Sequence, residues 1–131
     1  MLKIENIHHV ALLTDNYELS KRFYTEVLGF EIIAEVYRAD RQSYKLDLSV
    51  NGVYQIELFS FPEYRERATL PEAKGMRHLA FAVADVEAAY LYLKEKSVDV
   101  QEVRVDEFTG KKFLFFNDPN SQPLELYESN G

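Results

Sequence analysis

Two histidines and two glutamates occupy matching positions in the two halves of the sequence. His9 and Glu57 are 48 residues apart in the first half, and His78 and Glu125 are 47 residues apart in the second. Imidazole nitrogens and carboxylate oxygens are suitable ligands for divalent ions such as Zn, Ni, Co, Fe and Mn. The spacing therefore predicts a metal site built from these four side chains.

An ordinary structural role is the competing interpretation for each of these residues. A single histidine on a strand is more often a packed side chain than a ligand. A glutamate on an apolar strand is costly to bury without a partner, and four such groups at repeat-equivalent positions are hard to explain by chance. Ala11 and Ala80 follow the two histidines at equal distances and would leave space beside an ion. His8 is expected to point to the opposite face, towards a helix, with no role at the metal.

Composition limits the classes of partner. The chain has 131 residues, a net charge of −7 and no cysteine, so nucleic acid is not expected as a partner and any metal must be bound by histidine and carboxylates. The N-terminus lacks the features of a signal peptide, and no apolar run approaches membrane-spanning length. We expect a cytoplasmic protein that acts on a small molecule and does not bind membranes.

The alternation of apolar residues predicts the same element order, β-α-β-β-β, in both halves. In the first half, strands are predicted over residues 7–13, 31–37, 44–50 and 54–61, with a hairpin turn at Asn51-Gly52. The helix is expected to begin after Asp15 and end at Gly29. Its predicted buried stripe comprises Leu19, Phe23, Tyr24, Val27 and Leu28.

The second half repeats this order after a charged segment. Strands are predicted over residues 76–83, 98–105, 112–116 and 123–127, with a turn over residues 117–120 and a helix capped by Asp85. The buried stripe of this helix is predicted to be Val86, Ala89, Tyr90 and Leu93. The chain is thus expected to be one domain over residues 1–131, made of half-module 4–61, linker 62–75 and half-module 76–128. An exposed connector is the expected role of the linker, and a lid over a site is the alternative.

Several motifs together resemble the vicinal oxygen chelate superfamily, in particular its glyoxalase I-like branch and the small bacterial glyoxalase-like proteins of the YaeR type. The segments that carry the resemblance lie at residues 7–12, 23–30, 55–58, 77–81, 116–120 and 124–126. The resemblance implies an α+β fold of two paired βαβββ modules that form a curved mixed sheet around a metal-binding cleft. It places the four metal ligands at His9, Glu57, His78 and Glu125.

The resemblance also implies a chemistry. A glyoxalase-type site binds its substrate, such as the thiol adduct of an α-oxoaldehyde, through two adjacent oxygens, and the metal stabilises an enediolate. A carboxylate, Glu57 or Glu125, moves the proton between neighbouring carbons. Gln55 and Tyr127 are expected near these glutamates as supporting or substrate-contacting residues. A homodimer is expected, as is common in the family, and a site within one chain or shared between two chains is equally compatible with the sequence.

The leading hypothesis is therefore a metal-dependent lyase or isomerase resembling lactoylglutathione lyase. An Fe(II) dioxygenase or a thiol transferase on the same fold is the second hypothesis, and a metal-free binding protein for drugs is the third. A structural relative with a vestigial site is the fourth. Six basic residues could contact a substrate anion, although each is more often a solvated surface charge: Arg22, Arg38, Arg41, Arg77, Lys111 and Lys112.

Overall fold

The structure is a computed structural model that describes residues 1–130, and the chain divides into two compact units. The first unit covers Met1–Arg65, and the second begins at Glu66. Each unit contains a four-stranded mixed sheet and one principal helix. The α+β class and the βαβββ order predicted for each half are confirmed. No helix within residues 1–130 is long and apolar enough to cross a membrane.

The sheet of the first unit is formed by four strands in the order β1-β4-β3-β2. Strand β1 is parallel to β4, whereas the β4–β3 and β3–β2 pairs are antiparallel. The helix α1 continues into a π-helical turn, Phe23–Val27, and a 3-10 turn, Ala39–Arg41, joins β2 to β3. The elements are β1 Val10–Thr14, α1 Tyr17–Arg22, β2 Glu31–Arg38, β3 Ser43–Val50 and β4 Val53–Ser60.

The two faces of the first sheet have different characters. Alternate residues of a strand point to opposite faces, so Leu46, Leu48, Ile56 and Leu58 lie on one face and are buried. Tyr24 of the π-helical turn is also fully buried. The helical side of the unit thus supplies the core, and the opposite face carries the polar residues Lys45, Asp47 and Glu57 together with Ala11 and Phe59.

Helix α1 begins one residue later than predicted. Its N-cap is Asn16, whose side chain accepts a hydrogen bond from the Leu19 backbone N–H, and not Asp15. This shift turns Tyr17 and Ser20 inward and leaves Leu19 43% exposed, so the prediction of a buried Leu19 was wrong.

The turns of the first unit follow their sequence signals. Asn51 and Gly52 both have positive φ, 50° and 83°, as the predicted two-residue hairpin requires. Gly29 has φ 79° after the π-helical turn, which agrees with its predicted left-handed conformation.

The second unit repeats the topology in the strand order β5-β8-β7-β6, with β5 parallel to β8. Asp85 caps helix α2 as predicted, because its side chain accepts a hydrogen bond from the Ala88 backbone N–H. Val86 and Leu93 of this helix are buried, as are Leu114, Phe116, Leu124 and Leu126 of the sheet. The elements are β5 Leu79–Val83, α2 Val86–Glu95, β6 Arg104–Val105, β7 Lys112–Asn117 and β8 Pro123–Glu128.

The strand predicted over residues 98–105 is much shorter in the structure. Within this predicted segment, only Arg104 and Val105, which form β6, pair regularly with β7. An isolated bridge joins Val100 to Phe116. Asp99 and Glu102 are exposed, so this segment gains little by burying a sheet face. The remainder of the segment forms a loop at the edge of the second sheet.

Candidate metal centre

The first histidine–glutamate pair lies on the open face of the first sheet. The parallel register of β1 and β4 places Ala11 beside Glu57, and His9 lies two residues before Ala11. His9 Nε2 is 3.5 Å from Glu57 Oε2, and the side chains are 38% and 10% exposed. The pairing of the two strands thus brings together residues that are distant in sequence.

The second unit contains an equivalent pair. The register of β5 and β8 places Ala80 beside Glu125, and His78 lies two residues before Ala80. His78 Nε2 is 3.3 Å from Glu125 Oε1, with the side chains 30% and 12% exposed. The repeat detected in the sequence therefore corresponds to a repeat in side-chain geometry.

The two N···O distances suit ligands of a shared ion. A good N–H···O hydrogen bond is about 2.7–3.2 Å long, so distances of 3.5 and 3.3 Å are slightly long for one. Two ligand atoms about 2.1 Å from one ion would be about 3.0 Å apart in octahedral and about 3.4 Å apart in tetrahedral geometry. The donor types and their spacing therefore fit a divalent metal.

Each pair supplies only two of the four predicted ligands. Within residues 1–130, no group of three or more histidine, aspartate or glutamate side chains is close enough to share an ion. The assignment of His9, Glu57, His78 and Glu125 to a single centre therefore stays a prediction.

Glu57 lies in a polar environment. The Tyr54 hydroxyl donates a hydrogen bond to Glu57 Oε2, and Lys45 Nζ lies 3.7 Å from the same oxygen. Lys45 also contacts Asp47 at 2.6 Å, and Asp47 is the cross-strand neighbour of Glu57. Burial and the hydrogen bond to Glu57 raise the pKa of Tyr54 above its usual value, so its hydroxyl stays protonated as a donor. Glu57 is thereby held in place by several polar groups.

Glu125 lies in an aromatic environment instead. Its cross-strand neighbour is Phe115, whose ring meets the His78 ring edge-on at 5.1 Å between centroids. Tyr127 does not contact Glu125 through its hydroxyl, which lies 2.8 Å from Asp106 Oδ2 and 2.5 Å from Thr109 Oγ1. Within the described part of the chain, His78 is the only basic group in ion-pair distance of Glu125. The two glutamates thus correspond in position but not in surroundings.

Sequence reasoning misplaced some residues near the first pair. His8 does not pack towards the helix: it is exposed, and its Nδ1 lies 2.8 Å from His9 Nδ1. It precedes β1, so strand alternation does not govern it. Tyr54 was not predicted to contact Glu57, because residues three positions apart on a regular strand point to opposite faces. A β-bulge where Leu48 and Ser49 pair with Ile56 and Tyr54 changes this alternation. Gln55 is half-buried and borders an open pocket with His8.

Comparison with known proteins supports the family resemblance. The model of the Glyoxalase/Bleomycin resistance protein/Dioxygenase superfamily matches residues 6–126. Uncharacterized protein YwkD of Bacillus subtilis (strain 168) is 54% identical, over 95% of this chain and 98% of its own. Uncharacterized protein YaeR of Escherichia coli (strain K12) is 52% identical, over 98% and 99%. The crystal structure of a glyoxalase family protein from Enterococcus faecalis superposes with a TM-score of 0.87 at 44% identity, covering 95% of this chain and 98% of that one.

More distant relatives carry enzymatic names. A 2-epi-5-epi-valiolone epimerase from Actinomyces sp is 29% identical over 92% of this chain and 77% of its own. Metallothiol transferase FosB of Staphylococcus epidermidis is 26% identical over 95% and 84%. The fosfomycin resistance protein FosX of Listeria monocytogenes, complexed with Mn(II) and dihydroxypropylphosphonic acid, has a TM-score of 0.76 at 17% identity, covering 98% of this chain and 95% of that one, which shows a shared fold.

Proposed function

Because this chain belongs to the Glyoxalase/Bleomycin resistance protein/Dioxygenase superfamily, we propose that it is a divalent-metal-dependent lyase or isomerase of the glyoxalase I type. Its substrate class is a small molecule with two adjacent oxygens, such as the thiol adduct of an α-oxoaldehyde. The observation that carries the proposal is the pair of repeat-equivalent His–Glu contacts, at 3.5 and 3.3 Å. A purely structural role would not require the same two ligand types in both halves.

His9, Glu57, His78 and Glu125 would together hold one ion of Zn, Ni, Co, Fe or Mn. When bound, the ion supplies Lewis-acid stabilisation for negative charge that develops on the substrate oxygens. The imidazoles are neutral ligands and the carboxylates are anionic, so this set balances the charge of a divalent ion. A metal-dependent enzyme also accords with the names of the metallothiol transferase and FosX relatives.

A carboxylate of the site would move the proton. Glu57 and Glu125 are the candidates for a base that takes a proton from the hydroxyl-bearing carbon and returns it to the neighbouring carbon. The carbonyl and hydroxyl oxygens exchange roles in such an isomerisation, without any external oxidant. Ala11 and Ala80 stand beside the two glutamates in the strand registers and keep both positions sterically open.

The first test is the metal content of the purified protein, measured by mass spectrometry after incubation with Ni, Zn, Co or Mn. We expect about one ion per chain, and its loss in a His9→Ala, Glu125→Ala double variant. Glu95→Ala, at the end of helix α2 and exposed, is the matched control and should keep the ion. A wild-type chain that stays metal-free under these conditions would contradict the proposal.

The second test follows proton transfer in a series of α-oxoaldehyde–thiol adducts that carry deuterium on the hydroxyl-bearing carbon. The proposal predicts product with deuterium on the neighbouring carbon, detected by NMR, and loss of turnover in Glu57→Gln or Glu125→Gln. Oxygen uptake would instead indicate a dioxygenase, and net transfer of a thiol to a second substrate would indicate a thiol transferase. Binding of hydrophobic drugs by metal-free protein would favour a binding module.

The assembly we propose is a homodimer, because family members are often dimeric. Sedimentation of the metal-loaded protein tests it, and a monomer mass at working concentration would rule it out.

A further inference from the structure

The second unit contains a pocket of about 420 Å³ that borders His78. Part of its wall is formed by the predicted linker, because Arg67 to Leu70, Glu72 and Ala73 all line it. The expected role of this linker was an exposed connector, with a lid as the alternative. The aromatic ring of Phe115, which touches His78, lines it as well. The pocket therefore extends from one of the predicted metal ligands to an arginine-rich wall.

Arg67 lines one side of this pocket and is held in place by hydrogen bonds. Its Nη2 donates to the carbonyl oxygens of Met76 and Arg77 at 3.0 and 2.9 Å, and its Nη1 to Gln122 Oε1 at 3.3 Å. All of these acceptors are uncharged, so they do not neutralise the positive charge of Arg67 beside the pocket.

Arg104 lines the pocket and presents a flat guanidinium group backed by aromatic rings. Its Cζ lies 5.2 Å from the Phe113 ring centroid and 5.4 Å from that of Phe115. It donates one hydrogen bond, to Gln101 Oε1 at 3.3 Å, and no carboxylate among residues 1–130 lies within ion-pair distance of it. The guanidinium of Arg104 lies against two aromatic rings and has N–H donors that are not engaged within the described chain, so it suits a bidentate contact with an oxyanion.

The charges around the pocket favour an anion. Three arginines line it against two carboxylates, in a chain whose net charge is −7. Of these, Arg77 is paired with Glu72 at 2.7 Å, and both side chains are largely exposed. Asp99 remains as an opposing charge at the wall. The positive excess thus rests on Arg67 and Arg104.

We propose that this pocket binds an oxyanion group of the substrate, a carboxylate, phosphate or phosphonate, with Arg104 as the contact and the positive charge of Arg67 as electrostatic support. The rest of the substrate then extends along Phe115 towards His78. This inference rests on the proposed function and deepens it, since it restricts the substrate to small molecules that carry an anionic end. Arg104 determines specificity and takes no part in proton transfer.

The test uses methylphosphonate and acetate as anionic probes and dimethyl methylphosphonate as a neutral probe of similar shape. Binding is followed by NMR on the full chain after metal removal, through the guanidinium N–H signals of Arg104. We expect both anions to shift these signals and the neutral ester not to, and the stronger anion identifies the preferred group. Affinity should fall as salt is added, because Arg104 is exposed.

Variants of Arg104 give the decisive comparison. Arg104→Gln should weaken anion binding roughly tenfold, as expected for loss of a charged hydrogen bond, and Arg104→Lys should weaken it less, because it keeps the charge. Arg65→Gln, an exposed arginine at the end of the first unit, is the matched control and should bind as the wild type does. Equal binding by wild type and Arg104→Gln, with both folded by circular dichroism, would overturn the inference.

The two proposals can fail separately. A protein that binds metal through the four predicted ligands but no anion at Arg104 would retain the proposed function and lose the anion pocket. Anion binding at Arg104 in a chain that takes up no metal would retain the anion pocket and contradict the proposed metal-dependent function.

Discussion

The two glutamates of the candidate centre differ in what surrounds them. Glu57 accepts a hydrogen bond from Tyr54 and lies near Lys45. Glu125 instead faces Phe115, and the hydroxyl of Tyr127 is engaged with Asp106 and Thr109. Loss of a group that orients a metal ligand typically lowers metal affinity about 10–100-fold. The two tyrosines therefore provide a matched comparison.

Replacing Tyr54 by Phe should weaken metal binding about tenfold, because the hydrogen bond that orients Glu57 is lost. Tyr127→Phe should leave metal affinity nearly unchanged, since its hydroxyl contacts neither glutamate. Competition with a metal chelator measures both affinities. Equal weakening in the two variants would show that Tyr54 acts only through general packing.

Helix α1 is tied to strand β2 by a charged contact outside the candidate centre. Lys21 Nζ lies 2.8 Å from Glu35 Oε2, and the Tyr17 hydroxyl donates to the same oxygen at 2.5 Å. The hydrogen bonds from Lys21 and Tyr17 lower the pKa of Glu35 below its usual 4.5, and the contact with Glu35 raises the pKa of Lys21 above its usual 10.5. Both shifts mean that the native fold favours the charged pair.

The stabilisation from this pair should therefore depend on pH in two directions. Because the pKa of Glu35 is lowered in the folded state, its contribution to the stability is complete above pH 4.5 and is lost as the pH falls through the folded-state pKa. Because the pKa of Lys21 is raised in the folded state, its contribution to the stability is complete below pH 10.5 and is lost as the pH rises through the folded-state pKa. A double-mutant cycle of Lys21→Met and Glu35→Gln, measured by urea unfolding, should show a coupling energy at neutral pH that disappears in acid.

A helix-to-strand pair of the second unit, between α2 and β7, supplies a comparison. Lys112 and Glu87 are 3.4 Å apart and more exposed, at 45% and 57%, so their coupling energy should be smaller. A Lys21–Glu35 coupling energy that persists unchanged in acid would contradict the assignment.

At the scale of the whole molecule, the repeat is compatible with two modes of metal binding, which differ in the number of ions per chain. Each unit contains one His–Glu pair, so the four predicted ligands would bind either one ion together or two ions as separate pairs. We expect one ion per chain, because two protein ligands seldom suffice for tight binding of Zn or related ions. Removing either pair, as His9→Ala with Glu57→Ala or His78→Ala with Glu125→Ala, should then abolish binding completely. A ratio of two ions in the wild type, reduced to one by either variant, would support independent sites.

Much of the fold followed from local sequence patterns. The period of two in strands, the positive φ at Gly52 and the cap at Asp85 each depend on residues near in sequence, so they were predictable. Where two neighbouring residues can both cap a helix, as Asp15 and Asn16 can, packing of the following turn decides, and the prediction missed by one residue.

The sequence by itself determined the repeat, and with it the correspondence of His9 with His78 and of Glu57 with Glu125, because nearly equal spacing in two similar halves implies equal strand registers. Only the tertiary structure decided what surrounds these residues. The Tyr54 contact depends on a β-bulge, and the position of Arg67 at the pocket depends on the path of a segment without regular structure. Such contacts are set by the reach of long side chains across chain segments far apart in sequence, and no local period encodes them.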